Sequence, residues 1–175
     1  MTRWVLRILV PVLLIACVVH VATVWAVPRV VMHYVLRGAA RRAPINAAFH
    51  APPVTARDRA IPLPSPDLLY STCVLNLSVG PMAVSVQPGS DYLSLAVFDA
   101  ATDNVFVTND QAAAGAIRLL IVGPDATAPT VPAGTKLVRV PTQRALLLLR
   151  ALGATPELRQ RNEAARRTLR CEGVR

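Results

Sequence analysis

Gly80-Pro81-Met82-Ala83-Val84-Ser85-Val86-Gln87-Pro88-Gly89-Ser90-Asp91-Tyr92-Leu93-Ser94-Leu95-Ala96-Val97-Phe98-Asp99 is the stretch on which the fold turns. Two short runs in it, Met82–Val86 and Tyr92–Phe98, alternate large apolar residues with small or polar ones. That period of two belongs to a strand with one buried face. Pro88-Gly89-Ser90-Asp91 supplies turn chemistry between them, and Gly80-Pro81 breaks the chain before them. Similar runs lie on either side: Leu68–Leu77, Val105–Thr108, Ile117–Val122 and Lys136–Val140. Asp99–Asn104 and Gly123-Pro124-Asp125 separate them with further turn residues. Six closely spaced short strands predict a mainly β fold, an antiparallel β-sandwich or barrel.

The pattern past Val140 predicts two C-terminal helices. Thr142 can cap one over Gln143–Leu152, whose Leu146–Leu149 run is apolar on every side and therefore buried, and Gly153 would end it. Thr155-Pro156-Glu157 opens a second with a cap, a proline in the first turn and an early acid. That helix, Pro156–Leu169, carries Arg159, Arg161, Arg166 and Arg167, with Arg170 just beyond it. Its basic side reads as a solvated face, with contact to lipid phosphates as the alternative.

Ahead of the strands, Ile8–Val27 reads ILVPVLLIACVVHVATVWAV, without a formal charge. Its length matches the ~20 residues that cross a hydrocarbon core of ~30 Å. Trp4 and Trp25 stand near its two ends, where indole rings favour the interface. One N-terminal transmembrane helix is expected, continuing past the bilayer with a possible kink at Pro28 and a stop at Gly38. Three fates compete: an uncleaved signal anchor, cleavage after Val24-Trp25-Ala26, and lipidation of Cys17 in a lipobox-like Leu14-Ile15-Ala16-Cys17. The run is longer than a signal core of ~7–15 residues, which favours the anchor. His20 inside the span reads as a neutral imidazole bonded to a neighbour, rather than a haem ligand or proton relay.

These readings divide the chain into an anchor and juxtamembrane helix (1–39), a linker (40–66) and a β-rich domain with C-terminal helices (67–175). The linker holds six of the 15 prolines, which predicts an extended, semi-rigid segment holding the domain off the bilayer.

The net charge of +9 rests on 18 Arg and one Lys against ten acids. An acidic middle, residues 65–135, is flanked by basic ends. Basic ends of an anchored chain point to membrane lipid or to pairing with the acidic middle, and no nucleic-acid motif is present. Flanking arginines leave the orientation of the span open, with a slight lean to a cytoplasmic C-terminus. Cys73 and Cys171, the even pair outside the span, lean the other way, as a possible disulfide in an oxidising compartment.

Asp67-Leu68-Leu69-Tyr70-Ser71 and then Asn76-Leu77-Ser78-Val79-Gly80-Pro81 resemble a stretch of a bacterial family known only as domain of unknown function 1254. The similarity continues through Tyr92-Leu93-Ser94-Leu95, Phe98-Asp99-Ala100, Thr102-Asp103-Asn104 and Leu120-Ile121-Val122-Gly123-Pro124. It closes on Arg139-Val140-Pro141-Thr142 and Arg150. Ser65-Pro66 and Gln143 depart from the family pattern, which has asparagines there. The resemblance implies a β-rich envelope domain with an export signal and no established reaction. It also implies a partner carrying a second domain, number 1214. With the cysteine pair, it points to a single-pass protein of the bacterial inner membrane with its C-terminal domain in the periplasm.

Catalysis needs side chains that converge. Beyond the anchor and juxtamembrane helix the chain has one histidine, His50, no zinc spacing and no glycine-rich phosphate loop, and no cofactor is implied. The one polar cluster is Asp67, Tyr70, Asp99, Asp103 and Asn104. Its acids could serve acid–base chemistry or a hard cation, but turn chemistry explains them as well. The leading expectation is a non-catalytic binding or assembly module, and the alternative is an enzyme or small-ligand site on that cluster.

Overall fold

The computed structural model describes residues 2–55, 58, 64–113, 115–126 and 130–174. Helix α1 (Thr2–Ala40) is followed by β1 (Ala48–His50), β2 (Leu68–Asn76), a 3-10 turn (Leu77–Val79), β3 (Met82–Val86), β4 (Leu93–Asp99) and β5 (Asn104–Asn109). Then come β6 (Ile117–Val122), β7 (Lys136–Arg139), β8 (Arg144–Leu152), α2 (Pro156–Arg166) and β9 (Arg170–Gly173). The strands form a five-stranded sheet, β1-β2-β8-β4-β5, and a four-stranded sheet, β7-β6-β3-β9. All pairs are antiparallel except β6 with β7.

The mainly β fold with its N-terminal helix follows from the alternation. In β3, Met82, Val84 and Val86 are buried while Ala83 is exposed. With Ile117, Leu119 and Ile121 of β6 they meet Leu69, Cys73 and Leu75 of β2, Leu93, Leu95 and Val97 of β4, and Leu147 and Leu149 of β8 in one core. The two sheets therefore face each other across a shared apolar layer. Cys73 and Cys171, 98 positions apart in the sequence, form a disulfide across it. In the chain-entropy account, closing a loop of that length stabilises the fold by about 4–5 kcal/mol.

The helix expected over Gln143–Leu152 is instead β8, the central strand of the larger sheet. It pairs with β2 from Leu68↔Leu152 to Asn76↔Arg144 and with β4 from Leu93↔Ala151 to Asp99↔Ala145. Its run of four leucines is apolar on every side because both faces of the strand are covered. Leu147 and Leu149 enter the core, and Leu146 packs with Val74 under Met32 and Leu36 of α1. A strand covered on both faces loses its alternation and reads like a buried helix. Gly153 follows the strand, and a Cβ there would lie 2.9 Å from Cγ of Leu69. Thr142 caps no helix. Its hydroxyl accepts from the Ala100 N–H (3.0 Å) and donates to the Arg144 carbonyl (2.7 Å).

Of the two C-terminal helices only α2 forms, capped as expected by Thr155, whose hydroxyl accepts from the Leu158 N–H. It ends at Arg166 rather than Leu169, and the chain returns as β9 along β3. Residues 40–66 are not a free spacer throughout. β1 lies on β2, the Asn46 N–H donates to Val74, and the Asn46 side chain accepts from the Asn76 N–H. Residues 56–57 and 59–63 of the expected linker lie outside the described residues. α1 runs through Pro28 and past Gly38 to Ala40, and its last turns pack on the outer face of the larger sheet.

Candidate functional site

β8 joins two ends of the domain, and the expected polar cluster is divided between them. Tyr70 lies opposite Arg150, near one end of β8, and Asp99 lies opposite Ala145, at the other. Those two positions are five apart on β8, about 17 Å of strand. Asp67 and Tyr70 therefore sit apart from Asp99, Asp103 and Asn104. The Tyr70 hydroxyl accepts from the Ser65 N–H (3.0 Å), and the Asp67 carbonyl accepts from the Gly153 N–H (2.7 Å). Asp99 is buried, and one carboxylate oxygen accepts from the N–H groups of Ala101 (2.7 Å) and Asp103 (2.9 Å). Those bonds hold a turn in which Thr102 takes φ +76°. Among the described residues, no three His, Cys, Asp or Glu side chains converge on a metal position.

At the Leu152 end, α2 and β1 enclose a cleft of about 600 Å³ lined by His50, Pro52, Arg159, Glu163, Arg166 and Arg167. Arg166 is only 3% exposed. It donates to Glu163 and to the carbonyls of Ala51 (2.9 Å) and Tyr70 (2.7 Å), so α2 is clamped to β1 and β2. Glu163 accepts from Arg167 as well (2.6 Å). Burial works to raise the Glu163 carboxyl, but hydrogen bonds from Arg166 and Arg167 outweigh it and hold the group below its usual value. His50 Nδ1 lies 2.8 Å from the Ser71 hydroxyl. Burial first, and then Arg166 and Arg167, lower the His50 pKa. Ser71 is fully buried, so the pair ties β1 to β2 and does not present a reachable nucleophile.

The solvated basic face expected on α2 is therefore only partly solvated. Arg161 is exposed and pairs with Asp91 (3.2 Å), but Arg166 is an interior cation. The signal for it was the Glu163–Arg166 spacing of three. His50, which the linker reading set aside, became legible only once β1 was paired to Ser71.

At the Arg144 end, α1 and the turn after β4 enclose a second cleft, of about 590 Å³. Arg29, His33 and Leu36 of α1 line one side, and Asp99–Ala101, Asp103, Thr142 and Arg144 the other. Arg29 lies 4.3 Å over the Trp25 ring and donates through Nη1 to the Trp25 carbonyl. None of Arg29, Asp103 and Arg144 has an ion-pair partner among the described residues.

The family model described as a protein of unknown function (DUF1254) matches residues 45–173. The chain belongs to this family. The match takes in both sheets, β1 and α2, so both clefts are built wholly or partly from the DUF1254 domain. α1 precedes it. The chain has no match among curated proteins. Among solved structures it is similar to the VPA0106 protein from Vibrio parahaemolyticus, with TM-score 0.67 and 16% identity over 87% of this chain and 37% of that one. It is also similar to an uncharacterized protein from Burkholderia cenocepacia, with TM-score 0.56 and 15% identity over 81% of this chain and 38% of that one. At such identities the likeness shows the fold alone. The chain spans a little over a third of the length of these solved proteins.

In the DUF1254 domain, the residues that carry the sequence resemblance are mostly structural. Asp67–Ser71 opens β2, Tyr92–Leu95 opens β4, and Leu120–Val122 closes β6. Arg150, which closes the series, stands between Tyr70 and Ser94 in the sheet, and its Nε has no hydrogen-bond partner.

Proposed function

We propose that this chain is a single-pass inner-membrane protein that presents its DUF1254 domain, as a non-catalytic binding and assembly module, on the periplasmic side of the bacterial envelope. The observation that carries the reading is the continuity of α1 with the domain. Its Ile8–Val27 segment exposes an uncharged and mostly apolar surface, including Val12, Leu14, Ile15, Val18 and Val21, while Met32 and Leu36 are buried against the sheet. A water-exposed helix of that composition would be strongly disfavoured, whereas a bilayer accommodates it. One such helix is present among the described residues. The disulfide across the core supports the oxidising side of the membrane.

The binding role is supported by the division of the acidic cluster and by the burial of Ser71 beside His50. The partner we propose is a protein carrying the 1214-type domain. The test is cysteine labelling in intact cells with a thiol reagent that does not cross membranes, joined to purification of the full chain in mild detergent. Cys73 and Cys171 labelled only after reduction, and a specific envelope protein retained, are the expected results. No labelling even after reduction would overturn the orientation, and repeated purification of the chain alone would overturn the assembly role.

A further inference from the structure

Three charged side chains that line the cleft between α1 and the turn after β4 have no ion-pair partner among the described residues. Arg29 on α1 and Arg144 at the start of β8 are cations, and Asp103 beyond Asp99 is an anion. The Asp99 carboxylate is engaged by two backbone N–H groups and the Arg29 Nη1 by Trp25, which leaves Nε and Nη2 of Arg29, the Arg144 guanidinium and the Asp103 carboxylate for a ligand. Arg29 follows the uncharged run by two residues and sits over Trp25, so an anchored α1 would set this cleft at head-group depth. At about 590 Å³ it falls within the ~300–1,000 Å³ of small-ligand sites.

A ligand that satisfies both signs must itself carry both. Guanidinium groups match a phosphate in the bidentate manner. A carboxylate matches an ammonium with N–H donors, which a quaternary ammonium lacks. An anionic head group without an amine would face Asp103 and Asp99 unfavourably. We propose that this cleft binds the phosphoethanolamine head of a phospholipid, with Arg29 and Arg144 on the phosphate and Asp103 on the primary ammonium. The site rests on the anchoring proposed above, because only an anchored α1 brings the cleft to the bilayer surface.

The test is native mass spectrometry of the full chain released from micelles holding equal amounts of phosphatidylethanolamine, phosphatidylglycerol and phosphatidylcholine. The wild type should retain the ethanolamine lipid about tenfold over the other two. Asp103→Asn should bring its retention down to that of the choline lipid, and Arg144→Gln should lower all three. Asp67→Asn, at the other end of β8, should leave retention unchanged. Equal retention of the three lipids, or a preference untouched by Asp103→Asn and Arg144→Gln, would overturn the site. Soluble phosphoethanolamine at millimolar concentration should compete only weakly. Displacement of the lipid at equal concentration would move the ligand from membrane to solution and overturn the lipid assignment. Alkaline extraction of membranes carrying the same variants separates the two proposals. Protein in the soluble fraction defeats the anchor, while protein in the membrane fraction with no lipid preference defeats the site alone.

Discussion

The two ends of β8 handle charge in opposite ways. At the Leu152 end the cations are tied into the fold: Arg166 is buried, bonded to Glu163 and to two strand carbonyls, and Glu163 also accepts from Arg167. At the Arg144 end Arg29, Arg144 and Asp103 stand in a cleft of nearly the same volume without ion pairs among the described residues. A buried charge that is satisfied internally contributes to structure and has nothing left for a ligand. Exposed, unpaired charges contribute little to stability and remain available. The two clefts are alike in size, so volume alone would not separate them.

The largest effect should come from the link both ends share. Replacing Cys73 and Cys171 together by serine should lower unfolding stability by about 4–5 kcal/mol, read as a fall in the urea midpoint of the detergent-solubilised chain. A loss under 1 kcal/mol would mean that the core holds the two sheets without the bond. Next, Arg166→Ala should cost about 3 kcal/mol in the same assay, because Glu163 and two carbonyls lose their partner. If Arg144→Ala cost as much, the contrast between the ends would fail.

A smaller effect is expected from pH. His50 has a folded pKa below its ordinary 6.5, so the unfolded chain takes up a proton first as pH falls. Its contribution is therefore complete above about pH 6.5 and is lost as pH drops towards the folded value. Melting temperature should fall between pH 7 and pH 5, and His50→Gln should flatten that slope. Glu163, also lowered, adds a second loss at more acid pH, below its ordinary 4.5. The smallest effects belong to Asp103→Asn and Arg144→Gln, each within about 0.5 kcal/mol of wild type in stability. A larger change would make those side chains part of the fold and not of a binding site.

The strands with one covered face were legible in the sequence. Met82–Val86 alternates in burial as it does in composition, and the β4 and β6 runs fall within a residue of their expected limits. β8 was not legible, because α1 covers the face that would otherwise have been polar. Nothing local in Leu146–Leu149 distinguishes a helix in a core from a strand between two layers. β1 and β9 are three and four residues long and exist through pairing with β2 and β3, far away in sequence. The polar cluster is divided for a related reason. Asp67 with Tyr70, and Asp99 with Asp103, are near neighbours in sequence, but antiparallel pairing with β8 sends the two pairs to opposite ends. Arg29 is one of the arginines that flank the span, and its place in one cleft with Asp103 and Arg144 needed the docked helix.

That docking has a mechanical consequence. Met32 and Leu36 seat α1 on Val74 and Leu146, and β1 and Asn46 fasten the chain again just beyond the helix. A domain on a flexible tether can swivel freely above a membrane. This one is packed directly against its helix, so a tilt of α1 that kept those contacts would turn the sheet with it. With α1 across a bilayer, its thickness would set the bearing at which the domain meets whatever stands opposite.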